Sequence, residues 1–362
     1  MSAPPVQPIV VWFGRVGDMI LLSALLDILH RRYRAPCHVI GAGGWPAEIY
    51  AGHSDVAQVS CLHRYTAFLF DGAWWRTRAQ LRAAPRAPVY VCECDARKLA
   101  RIERLLRFSG IDYANCLFLA REPAATAPQH QVDRLVSFGR LTPPAFSAGD
   151  YPWPAAPPLC APHLEVSAAA RAECAAWLAA QGWAGKPLLL VQPGNRRTMR
   201  GSKLRLSAAD DKAWPIERWV ALLHALHERL PQALILLCGA PREALLLSWI
   251  VSATGLAAVA AAELPLPRLL ALCTLAHSMI SVDTGPAHAA AALSLPLVVM
   301  FGAHAQQEWL PRSPTGSAVV GVGGPPDATR LDQIPMETVL AAWSALPLQP
   351  TRGAPLPAAL RA

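Results

Sequence analysis

Asp18 closes the run Gly14-Arg15-Val16-Gly17-Asp18, a glycine loop that leads from a short apolar segment into one of helical periodicity. A carboxylate at the end of such a loop can take a proton from an attacking hydroxyl. The helix dipole also favours an acid in the first turn, so the residue reads equally well as a cap. The loop lacks GxGxxG spacing and does not predict a dinucleotide site. A second group is Ser281-Val282-Asp283-Thr284-Gly285-Pro286-Ala287-His288. Proline suits the first helical position, and the backbone N–H groups around it then point outward with partial positive charge, which makes an anion site. His288, inside that first turn, adds a donor; a solitary helical histidine is usually only packed, but one beside Asp-Thr-Gly reads as functional. A third group is Gln192-Pro193-Gly194-Asn195, followed by Arg196, Arg197, Arg200 and Lys203, and then by Lys212 just ahead of Trp214-Pro215. An ammonium fixed there is a natural partner for a diphosphate, whereas the arginines read equally as a solvated insertion. The fourth, Gly239-Ala240-Pro241-Arg242-Glu243, offers a loop that can meet a base or ribose.

All four groups follow short apolar runs, and ligands of open parallel sheets bind at the carboxyl ends of the strands. PIVVWFG, CHVIGAGG, VYVCEC and CLFLA read as strands between helical stretches, the first of them RVGDMILLSALLDILHRRY. Residues 142–163 are dense in proline and predict an extended connection. After it, Ser167 is a cap candidate for a helix, and KPLLLVQPGN, ALILLCGAP, SMISVDTG and LPLVVMFGA read as strands of a second domain, with helices between them and IPMETVLAAWSAL as the last. The alternation predicts two α/β domains with parallel sheets, over 1–165 and 166–345, with a flexible tail over 346–362.

Composition narrows the classes. The 362 residues are 53% apolar and only 16% charged, which argues for two well-buried cores. The net charge of +8 favours an anionic partner. No block of five or six cations and no recognisable nucleic-acid motif turns it into a nucleic-acid face. The N-terminal apolar run is interrupted by Arg15 and Asp18 and predicts no signal peptide, and no apolar stretch reaches the roughly 20 residues of a spanning helix. Nine scattered cysteines fit reduced thiols of a cytoplasmic protein. Cys92 and Cys94 form a CxC inside a predicted strand and read as structural thiols before metal ligands.

Taken in order, GRVGDMILLSALLDIL, LLLVQPGN, DDKAWPIERWVALLHAL, LILLCGAP and SVDTGPAHAAAALSLPLVVMFG resemble the heptosyltransferases of glycosyltransferase family 9. The resemblance implies a GT-B fold, in which two Rossmann-like domains face each other across a cleft. It implies inverting transfer from ADP-heptose to a lipopolysaccharide inner-core acceptor, without metal or cofactor. Asp18 matches the general base, with Gly14, Arg15 and Gly17 as its loop. Lys212, Ser281, Asp283, Thr284, Gly285 and His288, with Gly194, Asn195 and Gly239, fall on the donor side; Asp283 there organises its loop, since a bare carboxylate would repel a diphosphate. Peripheral contact with the inner face of the cytoplasmic membrane follows from a lipid-linked acceptor. The segment between Gln192 and Trp214 is longer and more basic than the family pattern, and residues 61–166 carry no family-like motif. The acceptor therefore stays open between a lipid-linked sugar, another glycan and a protein side chain. Another nucleotide sugar as donor, or a non-catalytic binding protein of the same fold, are the competing readings.

Overall fold

The structure, a computed structural model, describes residues 4–63, 71–123, 127–154, 159–195, 198–200, 203–204 and 212–347. The chain divides into two compact units, Met1–Glu165 and Val166–Ala362.

In the first unit, β1 (Ile9–Val11) is followed by α1 (Val16–Leu21), α2 (Ser23–Tyr33), β2 (Cys37–Ala42), α3 (Trp45–Ile49), β3 (Val56–Leu62), α4 (Gly72–Ala83), β4 (Val89–Val91), α5 (Ala96–Phe108), β5 (Cys116–Phe118) and α6 (Gln131–Gly139). The five strands are all parallel, in the order β3-β2-β1-β4-β5. β1, β2 and β4 are buried along their whole length, as expected of strands covered on both faces. Side-chain caps mark the starts of α4 and α5: Asp71 accepts from the backbone N–H groups of Ala73 and Trp74, and Asp95 from those of Arg97 and Lys98.

Two local expectations change here. The helix predicted through residues 15–33 is interrupted at Leu22, where the Ser23 hydroxyl donates to the carbonyl of Ile20 and competes with the backbone ladder. The strand predicted through Cys94 ends at Val91. Cys92 is buried and Cys94 exposed, so the two thiols face different surroundings. Among the described residues they belong to no cluster of metal-ligating groups.

The second unit begins with α7 (Ala168–Ala180), capped by the Ser167 hydroxyl at the Ala170 N–H as its sequence predicts. It continues with β6 (Leu188–Gln192), a short antiparallel hairpin of β7 (Met199–Arg200) and β8 (Lys203–Leu204), α8 (Ile216–Arg229), β9 (Leu234–Gly239), α9 (Ala244–Thr254) and β10 (Val259–Glu263). Then come α10 (Leu266–Cys273), β11 (Ser278–Val282), α11 (Gly285–Ala292), β12 (Leu297–Phe301), α12 (Gln306–Trp309), β13 (Val319–Gly323) and α13 (Met336–Ser344). Its six-stranded parallel sheet has the order β10-β9-β6-β11-β12-β13. β6, β9, β11 and β12 are fully buried, and Trp219 of α8 and Trp343 of α13 pack into the same core. Leu346, assigned to the tail by sequence, is buried in that core; residues 348–362 lie outside the described residues.

Both sheets have one central strand whose neighbours on either side leave the chain order: β1 between β2 and β4, and β6 between β9 and β11. Such a switch point opens a crevice at the carboxyl ends of the two diverging strands, because their following helices cover opposite faces. No helix among the described residues is long and apolar enough to cross a membrane.

Candidate functional site

At the switch point of the first sheet, Asp18 is partly exposed in the first turn of α1, and its Oδ2 accepts from the backbone N–H of Arg15 at 2.7 Å. Gly14 makes this approach possible, since a Cβ there would stand 2.6 Å from the Asp18 Cβ. Arg15 is exposed and Gly17 partly buried in the same turn. Across the switch point, at the end of β4, the buried Glu93 accepts from the N–H groups of Cys94 and Asp95 through Oε1. Lys98 ties the two strand ends together: its Nζ donates to the carbonyl of Phe13 at 3.1 Å and lies 3.5 Å from Glu93 Oε2. Sequence reasoning missed this lysine, although its place in the first turn of a helix just past a strand end was a usable signal.

At the switch point of the second sheet, the end of β11 delivers Asp283, 5% exposed, to the entry of α8. The Lys212 ammonium lies 2.5 Å from Asp283 Oδ2 and 3.0 Å from the Asp283 carbonyl oxygen. His304, in the loop after β12, donates from Nδ1 to the same Oδ2 at 3.0 Å. Burial by itself would raise the Asp283 carboxyl. The His304 hydrogen bond, the charges of Lys212 and His288 and the hydrogen bond from Lys212 outweigh it and bring the group down to about 2. His304 is the second residue sequence reasoning passed over. It lies 21 positions past Asp283 in a loop without a motif, and only the parallel pairing of β11 with β12 brings it near.

The rest of this turn is built around that carboxylate. Thr284 stands at the N-cap of α11 in an extended conformation, its hydroxyl donating to the Val282 carbonyl at 3.1 Å. Thr284, Gly285 and Pro286 are partly exposed, whereas His288 is buried one turn into the helix. Ser281 is fully buried, and its hydroxyl donates to the Val282 carbonyl at 2.7 Å, which makes it part of the scaffold under the turn.

On the other side of β6, Gly194 and Gly239 frame the buried Glu243. A Cβ on Gly194 would stand 2.6 Å from Glu243 Oε1, and one on Gly239 3.2 Å from the Glu243 Cβ. Glu243 accepts from the Ala240 N–H at 2.9 Å and from Gln192 Nε2 at 3.3 Å, and Gln192 also donates to the Gly194 carbonyl. Burial raises the Glu243 carboxyl, and these hydrogen bonds only partly offset it. Asn195 follows, its N–H donating to the Thr198 hydroxyl at 2.9 Å. Arg196 and Arg197 lie outside the described residues, as do the side chains of Arg200 and Lys203.

Two parallel-sheet α/β units with strand-end crevices of this kind constitute the GT-B fold, and solved structures share it. A family 9 glycosyl transferase from Veillonella parvula DSM 2008 superposes with a TM-score of 0.70 at 14% identity, covering 94% of this chain and 97% of that one. The E. coli ADP-heptose LPS heptosyltransferase II gives 0.69 at 18% identity over 94% and 98%. The E. coli heptosyltransferase WaaC solved with ADP gives 0.62 at 19% over 92% and 97%. A search of curated proteins finds no match. The profile of glycosyltransferase family 9 (heptosyltransferase) matches residues 110–333. The chain belongs to that family.

Proposed function

We propose that this chain is an inverting glycosyltransferase that moves a heptose from ADP-heptose onto an acceptor of the lipopolysaccharide inner-core type, without a metal ion in the transfer step. The observation that carries the reading is the Lys212–Asp283 pair at the start of α11. Paired in this way, Asp283 presents no net negative charge to a diphosphate and holds the ammonium beside the helix N-terminus. Charge building on the leaving ADP then meets a fixed cation and the amide end of α11. Two relatives of the same fold support this donor: one is an ADP-heptose LPS heptosyltransferase, and the E. coli WaaC enzyme was solved with ADP and with ADP-2-deoxy-2-fluoro heptose.

In this reading Asp18 is the base. It takes the proton of the acceptor hydroxyl as that oxygen attacks the anomeric carbon, and the sugar–phosphate bond breaks towards ADP. The Arg15 N–H holds one carboxylate oxygen in place and leaves the other for the acceptor. Gly194, Asn195 and Gly239 shape the strand-end loops that receive the nucleoside. The protein works at the cytoplasmic face of the membrane, where the exposed Arg76, Arg82, Arg97, Arg104 and Arg107 of α4 and α5 are drawn to anionic lipid.

The test is Asp18→Asn assayed for transfer and for ADP binding. Transfer is expected to vanish while nucleotide affinity is kept; unchanged turnover removes the base assignment. A thermal-shift series with ADP, UDP, GDP and CMP sugars reads the donor, since the tightest ligand of the folded state raises the Tm most. No shift with any of them would leave a non-catalytic protein of this fold.

A further inference from the structure

At the opposite end of the first sheet's strands from Asp18, three side chains converge that the proposed transfer does not use. Asp18 follows the end of β1, whereas Asp55 precedes the start of the parallel strand β3. Asp55 Oδ2 lies 2.9 Å from His163 Nε2, and its Oδ1 lies 2.7 Å from His30 Nδ1 near the end of α2. The His53 ring packs on that of His163 with centroids 4.9 Å apart. One ligand-type atom from each of His53, Asp55 and His163 falls within 4.8 Å of the other two. His53 and Asp55 are buried, and His163 is partly buried, with an Nδ1 that is inaccessible to solvent and makes no hydrogen bond.

We propose that His53, Asp55 and His163 form a binding site for a divalent transition-metal ion of the zinc class. Two imidazoles and one carboxylate are a donor set that such ions take in preference to Mg²⁺ or Ca²⁺, which favour all-oxygen ligands. His30 completes the arrangement from outside. By holding the second carboxylate oxygen it orients Asp55, as hydrogen-bonded outer groups do around bound metals. The site has a structural consequence, because His163 lies two residues before the end of the first unit at Glu165. The same stretch is already fastened by the Ser23 hydroxyl, which accepts from the His163 N–H, and by Glu165, which accepts from the Ser54 N–H. A metal ion there would staple the end of the proline-rich segment to the loop between α3 and β3.

The test uses the untagged full-length chain carrying Cys94→Ala and Cys160→Ala, which removes the two exposed thiols that compete for soft cations. After stripping with EDTA, titration with Co²⁺ is followed by its visible absorption. One equivalent is expected to bind with the spectrum of nitrogen and oxygen ligation, to be displaced by Zn²⁺, and to raise the Tm. Asp55→Asn, close in size to the parent, and His163→Ala are each expected to lose that equivalent. His30→Ala should weaken it by about 10–100-fold. Absorption that does not saturate at one equivalent, or Asp55→Asn binding Co²⁺ as tightly as the parent, would show a hydrogen-bonded cluster only and overturn the proposal. Asp55→Asn decides the matter alone if His163→Ala does not fold.

Discussion

Lys212 and Asp283, 71 residues apart in the chain, meet through two contacts, one from the ammonium to the Asp283 carboxylate and one to its backbone carbonyl. The lysine therefore fixes both the charge and the backbone of the turn that starts α11. In the proposed donor site a bare carboxylate would oppose a diphosphate; paired with Lys212 it positions the cation instead.

Breaking this pair should be costly because both side chains are largely buried, at 12% and 6% exposure. Lys212→Met is expected to destabilise the protein by about 3–5 kcal/mol, since it removes the ammonium partner of a buried carboxylate. Replacing both residues, as in Lys212→Met with Asp283→Leu, should recover part of that loss. Denaturant unfolding of the two variants measures the difference, and ADP affinity should fall in both.

Acid stability should report on the same carboxylate. Asp283 is depressed from an ordinary 3.8 to about 2, with the His304 hydrogen bond the largest of the lowering influences. A group depressed on folding adds stability above its unfolded value, and that contribution is lost as pH falls through the folded one. Stability should therefore drop between about pH 4 and pH 2, and the drop should be shallower in His304→Ala. Urea midpoints across that range give the comparison; identical slopes would mean that His304 does not act on Asp283.

Gly194 is demanded by Glu243 and not by a positive φ of its own. Gly194→Ala is expected to cost about 1–3 kcal/mol by overpacking against Glu243 Oε1 and Leu246. In a Glu243→Ala background the penalty should be smaller, and the double-mutant cycle measures the coupling. Strict additivity would place the cause elsewhere.

Gly14 stands in the same relation to Asp18. Gly14→Ala would push a Cβ to 2.6 Å from the Asp18 Cβ and displace the carboxylate from the Arg15 N–H. With Asp18 as the proposed base, turnover should fall about tenfold or more, as misplacement of a reacting group commonly costs, with ADP affinity unchanged. Steady-state kinetics beside an ADP titration separates the two effects.

Much of this architecture was legible in the sequence because buried parallel strands are continuous apolar runs bounded by glycine or proline. LLLVQPGN, LILLCGAP and SMISVDTG announced β6, β9 and β11 together with the loops that end them. The strands β3, β10 and β13, at three of the four edges of the two parallel sheets, went unread. Their residues are alanine-, glycine- or polar-rich and only partly buried, so they carry no comparable signal.

For the site, local sequence determined which residues end strands and begin helices: Asp18 in the first turn of α1, Asp283-Thr284-Gly285 at the start of α11, Gly194 just after β6 and Gly239 at the end of β9. Those placements depend on neighbours a few residues away, which chain connectivity supplies. Tertiary structure alone decided that Lys212 and His304 share one oxygen of Asp283, that Glu243 fills the space left by two glycines, and that His163 reaches Asp55 across 108 residues. Such pairings follow from strand order and register, which bring distant segments within hydrogen-bonding distance and leave no periodic trace in the chain.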